Sequence, residues 1–164
     1  MFYRVVQEDL GPEHLFEPCG FYEKVGEDGE VLVAWFGEYA TFWCGDVLEV
    51  CFGSSPAGCL LSIAEDLEPG RYWVYGTEEE PDVDLRGSLY ADFRVVGEVR
   101  YRRPVLARRL GVVELTPGLV RRLKAIRRAS LRGCGDVFFD SDLAARHLAR
   151  LAGRLAVRDA IGVS

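Results

Sequence analysis

Residues 99–132 read VRYRRPVLARRLGVVELTPGLVRRLKAIRRASLR, and within them the chain passes from strand-like to helix-like patterning. Leu89 to Val96 and Glu98 to Leu106 predict two strands meeting at Gly97. Pro104 marks an edge or a strand end, because proline cannot donate to a sheet ladder. Further on, Thr116 is a good N-cap and Pro117 suits the first helical position, which predicts a helix from Pro117 to about Ala129. Leu119, Leu123 and Ile126 share one face of that helix with Val120 beside them, and Arg121, Arg122, Lys124, Arg127 and Arg128 occupy the other.

N-terminal to this stretch the pattern is β throughout. Phe2 to Val6 is a short β-like run. Phe21 to Val25 and Glu30 to Phe36 flank Gly26-Glu27-Asp28-Gly29, a turn that closes a hairpin. Gly45-Asp46 opens a strand from Val47 to Phe52, and further strands are expected at Cys59 to Ala64 and, after Glu68-Pro69-Gly70, at Arg71 to Tyr75. Short runs between regular turn signals suggest a β-barrel or sandwich rather than alternating strand and helix. C-terminal to it, Gly133 to Gly135 breaks the helix and Asp136 to Phe139 predicts a short strand. Ser141 caps a second helix expected to run to about Arg158, with Leu148, Leu151 and Leu155 on its core face and Arg146, Arg150, Arg154 and Arg158 in a four-residue stripe. The fold class expected is α+β, a mostly antiparallel β-barrel with two C-terminal helices, in a single domain over residues 1–164.

Charge divides the chain where the pattern changes. Met1 to Glu98 has 5 Lys/Arg against 21 Asp/Glu, and Val99 to Ser164 has 15 against 5, a split hidden in the overall −6. Such asymmetry bears on partners rather than on fold. Two readings follow: a polyanion-facing surface, or a basic part that neutralises the acidic part through ion-pair networks of the thermophilic kind. The chain has no Asn, one Gln (Gln7) and one Met (Met1), which is the avoidance of thermolabile side chains found in hyperthermophilic proteins. No apolar run approaches the roughly 20 residues that span a bilayer, so no membrane association is expected and the expected location is cytoplasmic.

No catalytic or metal signature competes with the basic stretch. The phosphate-binding loop and the dinucleotide fingerprint do not occur. The two histidines, His14 and His147, read as structural, and the five cysteines lack the close spacing of a zinc knuckle and read as buried small hydrophobes. The acidic loop Glu78 to Asp84 reads as a solvated surface loop, and no metal and no cofactor are expected. A binding role is favoured over an enzymatic one. Arg and Lys contact phosphates, and aromatic rings stack on bases, so Arg100, Tyr101, Arg102, Arg103, Arg121, Lys124 and Arg128 are the candidate nucleic-acid-binding residues. On a strand, Arg100 and Arg102 face one way and Tyr101 and Arg103 the other.

The order of features resembles the PUA-like superfamily of small β-barrels, and within it the EVE type of domain. The resemblance is carried by Gly45-Asp46-Val47-Leu48-Glu49-Val50, by Gly97-Glu98-Val99 followed by Tyr101-Arg102-Arg103-Pro104-Val105, by the Leu119, Leu123 and Ile126 helix, and by residues Asp136 to Asp142. It implies a nucleic-acid or modified-base binding module, RNA before DNA, with an aromatic-lined pocket and no catalysis of its own. Trp35, Trp43 and Trp73 are then the candidate stacking residues. The alternatives are a homo-oligomeric assembly protein whose acidic and basic faces meet between copies, and a small-molecule enzyme.

Overall fold

The computed structural model describes residues 1–18, 20–25, 31–36, 49–87, 95–131 and 141–159. They form an α+β fold. The strands are β1 (Phe2–Val6), β2 (Glu13–Phe16), β3 (Gly20–Val25), β4 (Val31–Phe36), β5 (Val50–Phe52), β6 (Gly70–Thr77), β7 (Val83–Asp84), β8 (Val99–Tyr101) and β9 (Val105–Leu115). The helices are α1 (Pro56–Ser62), α2 (Pro117–Leu131) and α3 (Ser141–Ala149). All the pairings are antiparallel: a sheet in the order β1-β6-β9-β2, a smaller one in the order β5-β8-β7, and the hairpin β3-β4. Reciprocal N–H···O bonds between Tyr3 and Gly53, 2.7 and 2.8 Å long, join β1 to the end of β5. Among the described residues these sheets do not close into a barrel. No helix among them is long and apolar enough to cross a membrane.

The alternation of β6 builds two cores. Tyr72 and Val74 face the helices, where they meet Val113 and Leu115 of β9, Leu60 and Leu61 of α1, Leu119 and Leu123 of α2 and Leu148 of α3. Tyr75 faces the opposite way, onto Phe16, Val50, Phe52, Val99, Tyr101 and Val105. Here Phe16 packs edge-on to Phe52 and Tyr75, and Phe52 to Tyr101, with centroids 5.4–5.7 Å apart, the favoured geometry for aromatic quadrupoles. The apolar faces read from the sequence for α2 and α3 are the buried ones.

Several expectations hold. The hairpin pairs Val25 with Val31; its turn lies outside the described residues. Helix α2 starts at Pro117 as expected, and the Thr116 hydroxyl accepts the Leu119 N–H at 3.2 Å. Pro104 lies between β8 and β9. The strand expected at Asp136 to Phe139 lies outside the described residues.

Other expectations are corrected. Cys59 to Ala64 is not a strand: α1 occupies Pro56–Ser62, started by Pro56 and capped by the Ser55 hydroxyl, which accepts the Gly58 N–H at 3.0 Å. A run that is apolar but for Ser62 fits a buried helix as well as a buried strand, and the cap decides between them. Residues 95–96, the end of the strand expected from Leu89, are helical. The strand expected over Glu98 to Leu106 is interrupted at residues 102–104, and its second part runs on to Leu115.

The second C-terminal helix stops at Ala149 rather than near Arg158. Tighter turns follow, in which Leu151 N–H donates to Leu148 O and Arg154 N–H to Leu151 O. Leu151 and Leu155 stay buried, so the apolar spacing continues although the helix does not. Arg158 is then drawn to β9, exchanging 2.9 Å backbone bonds with Val112. Gly111 permits that approach: its φ is +153°, and a Cβ there would collide with the Arg158 carbonyl oxygen. The arginines at 146, 150, 154 and 158 therefore do not form one helical stripe.

Candidate nucleic-acid interface

The segment 99–104 keeps the alternation read from its sequence. Arg100 and Arg102 both reach Glu49, whose side chain is 3% exposed: Arg100 Nη1 donates to Oε2 at 3.2 Å and Arg102 Nε to Oε1 at 3.1 Å. Arg100 Nε also donates to Glu98 at 2.8 Å. Burial by itself would lower the pKa of Arg100, but the adjacent Glu98 and Glu49 outweigh it and raise it. Tyr101 and Arg103 turn the other way. Tyr101 is fully buried and donates its O–H to Glu79 O at 2.8 Å; burial, with the Glu79 carboxylate nearby, pushes its phenol up to about 12. Arg103 lies over the Tyr101 ring, 5.4 Å from its centroid, and donates to Glu79 Oε2 at 2.6 Å and to Glu80 O at 2.9 Å.

The acidic loop at residues 78–84 is not a freely solvated one. Arg102 N–H donates to Asp82 and Leu106 N–H to Glu79, so the loop is strapped across the β8-β9 connection. The reason is charge: the loop's carboxylates face the arginine turn. A phosphate bound at residues 100–103 would have to compete with Glu49, Glu79, Glu98 and Asp82, and Tyr101 has no face free for a base.

The helical cations divide differently. Arg128 makes a two-pronged bond to Glu65, at 3.2 and 2.9 Å, which holds the Glu65 carboxyl below its usual range. Lys124, half-buried, adds its charge at Glu65. Arg121 and Arg122 on α2, Arg146 on α3 and Arg150, Arg154 and Arg158 beyond it are exposed, and among the described residues none of them makes an ion pair with a carboxylate.

Of the candidate stacking residues, Trp73 lies on β6, half-buried at the margin of the second core. The guanidinium groups of Arg71 and Arg109 lie over its ring, 5.9 and 5.0 Å from the centroid. Glu114 anchors Arg71 at 2.7 Å, and Asp9 anchors Arg109 at 2.6 Å. Trp35 is paired with Phe21 in the β3-β4 hairpin; its side chain, like the whole of Trp43, lies outside the described residues.

A groove of about 470 Å³ runs between the start of α2, the turn at Gly153 and the segment at Arg158, and brings together Arg122, Arg154 and Arg158. Reading the sequence did not single out this group. Arg158 arrives through the Val112 bridge and Arg154 through the turn after α3, and the four-residue spacing of these arginines points to a helical stripe instead. Gly111, where a β-patterned run requires a left-handed residue, is the trace that the sequence does carry. Among the described residues no cluster of His, Cys, Asp or Glu is placed to hold a metal. No family model, curated protein or solved structure matches the chain.

Proposed function

We propose that the protein is a non-enzymatic nucleic-acid-binding module of PUA-like type, taking RNA in preference to DNA, and that its contact face is the helical layer rather than the β8-β9 turn. One observation carries this reading: Arg71, Arg100, Arg102, Arg103, Arg108 and Arg109, on the sheets and the β8-β9 turn, are held by carboxylates of the same chain, whereas Arg121, Arg122, Arg146, Arg150 and Arg154 present solvent-exposed guanidinium groups with no such partner among the described residues. Unneutralised cations on one layer are what a phosphate backbone requires, and each phosphate contact releases counterions. The acidic half, engaged with Arg100, Arg102 and Arg103, keeps that part of the surface from competing for the strand.

The test is a titration of labelled single-stranded RNA and DNA against the protein over a range of salt concentrations. Binding that falls with a log–log slope of roughly 0.7 per phosphate neutralised on a single strand supports the reading. Salt-independent binding, or none at low salt, refutes it.

A further inference from the structure

The groove at the start of α2 holds two glycines that the fold does not demand. Gly118 is in the first turn of α2 and Gly153 in the turn after α3, and both line the groove with Arg122, Arg154 and Arg158. Neither has a left-handed backbone. A Cβ at Gly153 would meet nothing within 4 Å, and one at Gly118 would meet only the Thr116 hydroxyl, at an ordinary 3.8 Å. Packing and conformation would accept alanine at both. What the two residues share is the groove, where they leave lengths of backbone bare between three guanidinium groups.

The charge balance there is one-sided. The carboxylate in the groove is Glu114, and Arg71 already binds it at 2.7 Å. Arg122, Arg154 and Arg158 make no ion pair among the described residues. Guanidinium forks match the oxygens of a phosphate group, and a bare backbone allows such a group to come close. We infer that this groove is a binding site for a phosphate group. Resting on the nucleic-acid reading, the group is a phosphate of the bound strand, its terminal monoester being the form with most charge to share among three arginines; a small phosphorylated molecule offers the same chemistry.

The test uses the full chain, with inorganic phosphate as the probe and the backbone amides of Gly118 and Gly153 followed by NMR. Saturable shifts at both amides with phosphate, and not with chloride at equal ionic strength, are expected. Arg154→Gln and Arg158→Gln should each weaken the phosphate affinity about tenfold, a loss of about 1.4 kcal/mol. Gly118→Ala and Gly153→Ala should weaken it as well while the fold stays as stable or gains, so a loss of binding cannot be put down to unfolding. Absence of saturable shifts, or unchanged affinity in the arginine variants, overturns the site. A second arm compares an oligonucleotide carrying a 5′-phosphate, the same strand with a 5′-hydroxyl, and a nucleoside monophosphate. Tighter binding of the phosphorylated strand assigns the group to nucleic acid, and tighter binding of the mononucleotide to a small molecule; both keep the site. Should phosphate saturate the glycine amides while RNA fails to bind at low salt, the nucleic-acid reading falls and the groove stands.

Discussion

Replacing Glu49 with Gln separates the arginines engaged within the fold from those proposed to bind. The Glu49 side chain is 3% exposed and receives Arg100 and Arg102, whose own side chains are 15% and 55% exposed. Breaking a buried ion pair from one side costs roughly 3–5 kcal/mol, because it leaves an uncompensated charge. Arg100 keeps Glu98 at 2.8 Å and Arg102 is half in water, so the lower end, about 3 kcal/mol, is expected. For a chain of this size that lowers the melting temperature by roughly 6–12 °C. The assay is thermal unfolding by circular dichroism, paired with an RNA titration at a temperature where the variant is folded. Glu49→Gln should melt early and bind RNA with unchanged salt dependence, whereas Arg121→Gln with Arg122→Gln should melt like the parent and lose roughly 0.7 of log–log slope for each contact removed. A Glu49→Gln protein that melts with the parent, or one that gains RNA affinity through a released Arg100 and Arg102, would refute the assignment of those arginines to the fold.

Other perturbations follow from the same geometry. The Tyr101 phenol, raised to about 12 in the fold against about 10 when free, contributes stability that is whole below pH 10 and is lost as the pH rises toward 12. That loss is about 3 kcal/mol, so Tyr101→Phe should cost ~1 kcal/mol at neutral pH through the bond to Glu79 O yet flatten the decline in urea midpoints above pH 10. Burial pushes the Cys59 thiol up to about 12 from its ordinary 9 and raises the Cys51 thiol as well, so a decline beginning near pH 9 should persist in that variant, shrink on adding Cys59→Ala and disappear only when Cys51→Ala is added too. Leu123→Ala, at a fully buried position between α2 and the sheet, should cost roughly 2–5 kcal/mol in chemical denaturation. Gly111→Ala should break the Val112–Arg158 bridge, destabilise the fold by ~1–3 kcal/mol and weaken phosphate binding at the groove, since Arg158 is placed by that bridge.

How far the sequence could be read depended on how local each determinant is. Thr116-Pro117 carries its own cap and start, and α2 begins where that chemistry puts it. Alternation through Arg100-Tyr101-Arg102-Arg103 is a property of strand geometry, and Arg100 with Arg102 do meet one partner while Tyr101 with Arg103 meet another. The identity of those partners was not legible, because Glu49 is about fifty positions away and Glu79 more than twenty, and nothing local couples them. α1 is hidden for a related reason: Cys59 to Ala64 is apolar apart from Ser62, so its period is nearly silent and Ser55-Pro56 is what speaks for a helix. The end of α3 was hidden because Leu151 and Leu155 continue the helical spacing into turns that also bury them.

The same limit governs the charges. Counting residues assigns one basic half to one task, but ion pairs are made in space, and they divide that half in two. The arginines that follow Val99 fall opposite an acidic loop and a buried glutamate, and are consumed by them. Those on and after α2 are carried to the far side of the first core, where Glu65 reaches Arg128 and touches Lys124 only through its field. Arg122, Arg154 and Arg158 are brought together without a carboxylate to spare, since Glu114 belongs to Arg71. Neutralisation within the fold and the proposed attraction of a polyanion are therefore not rival accounts of one surface: the first engages the arginines around β8 and β9, and the proposal needs only those of the helices.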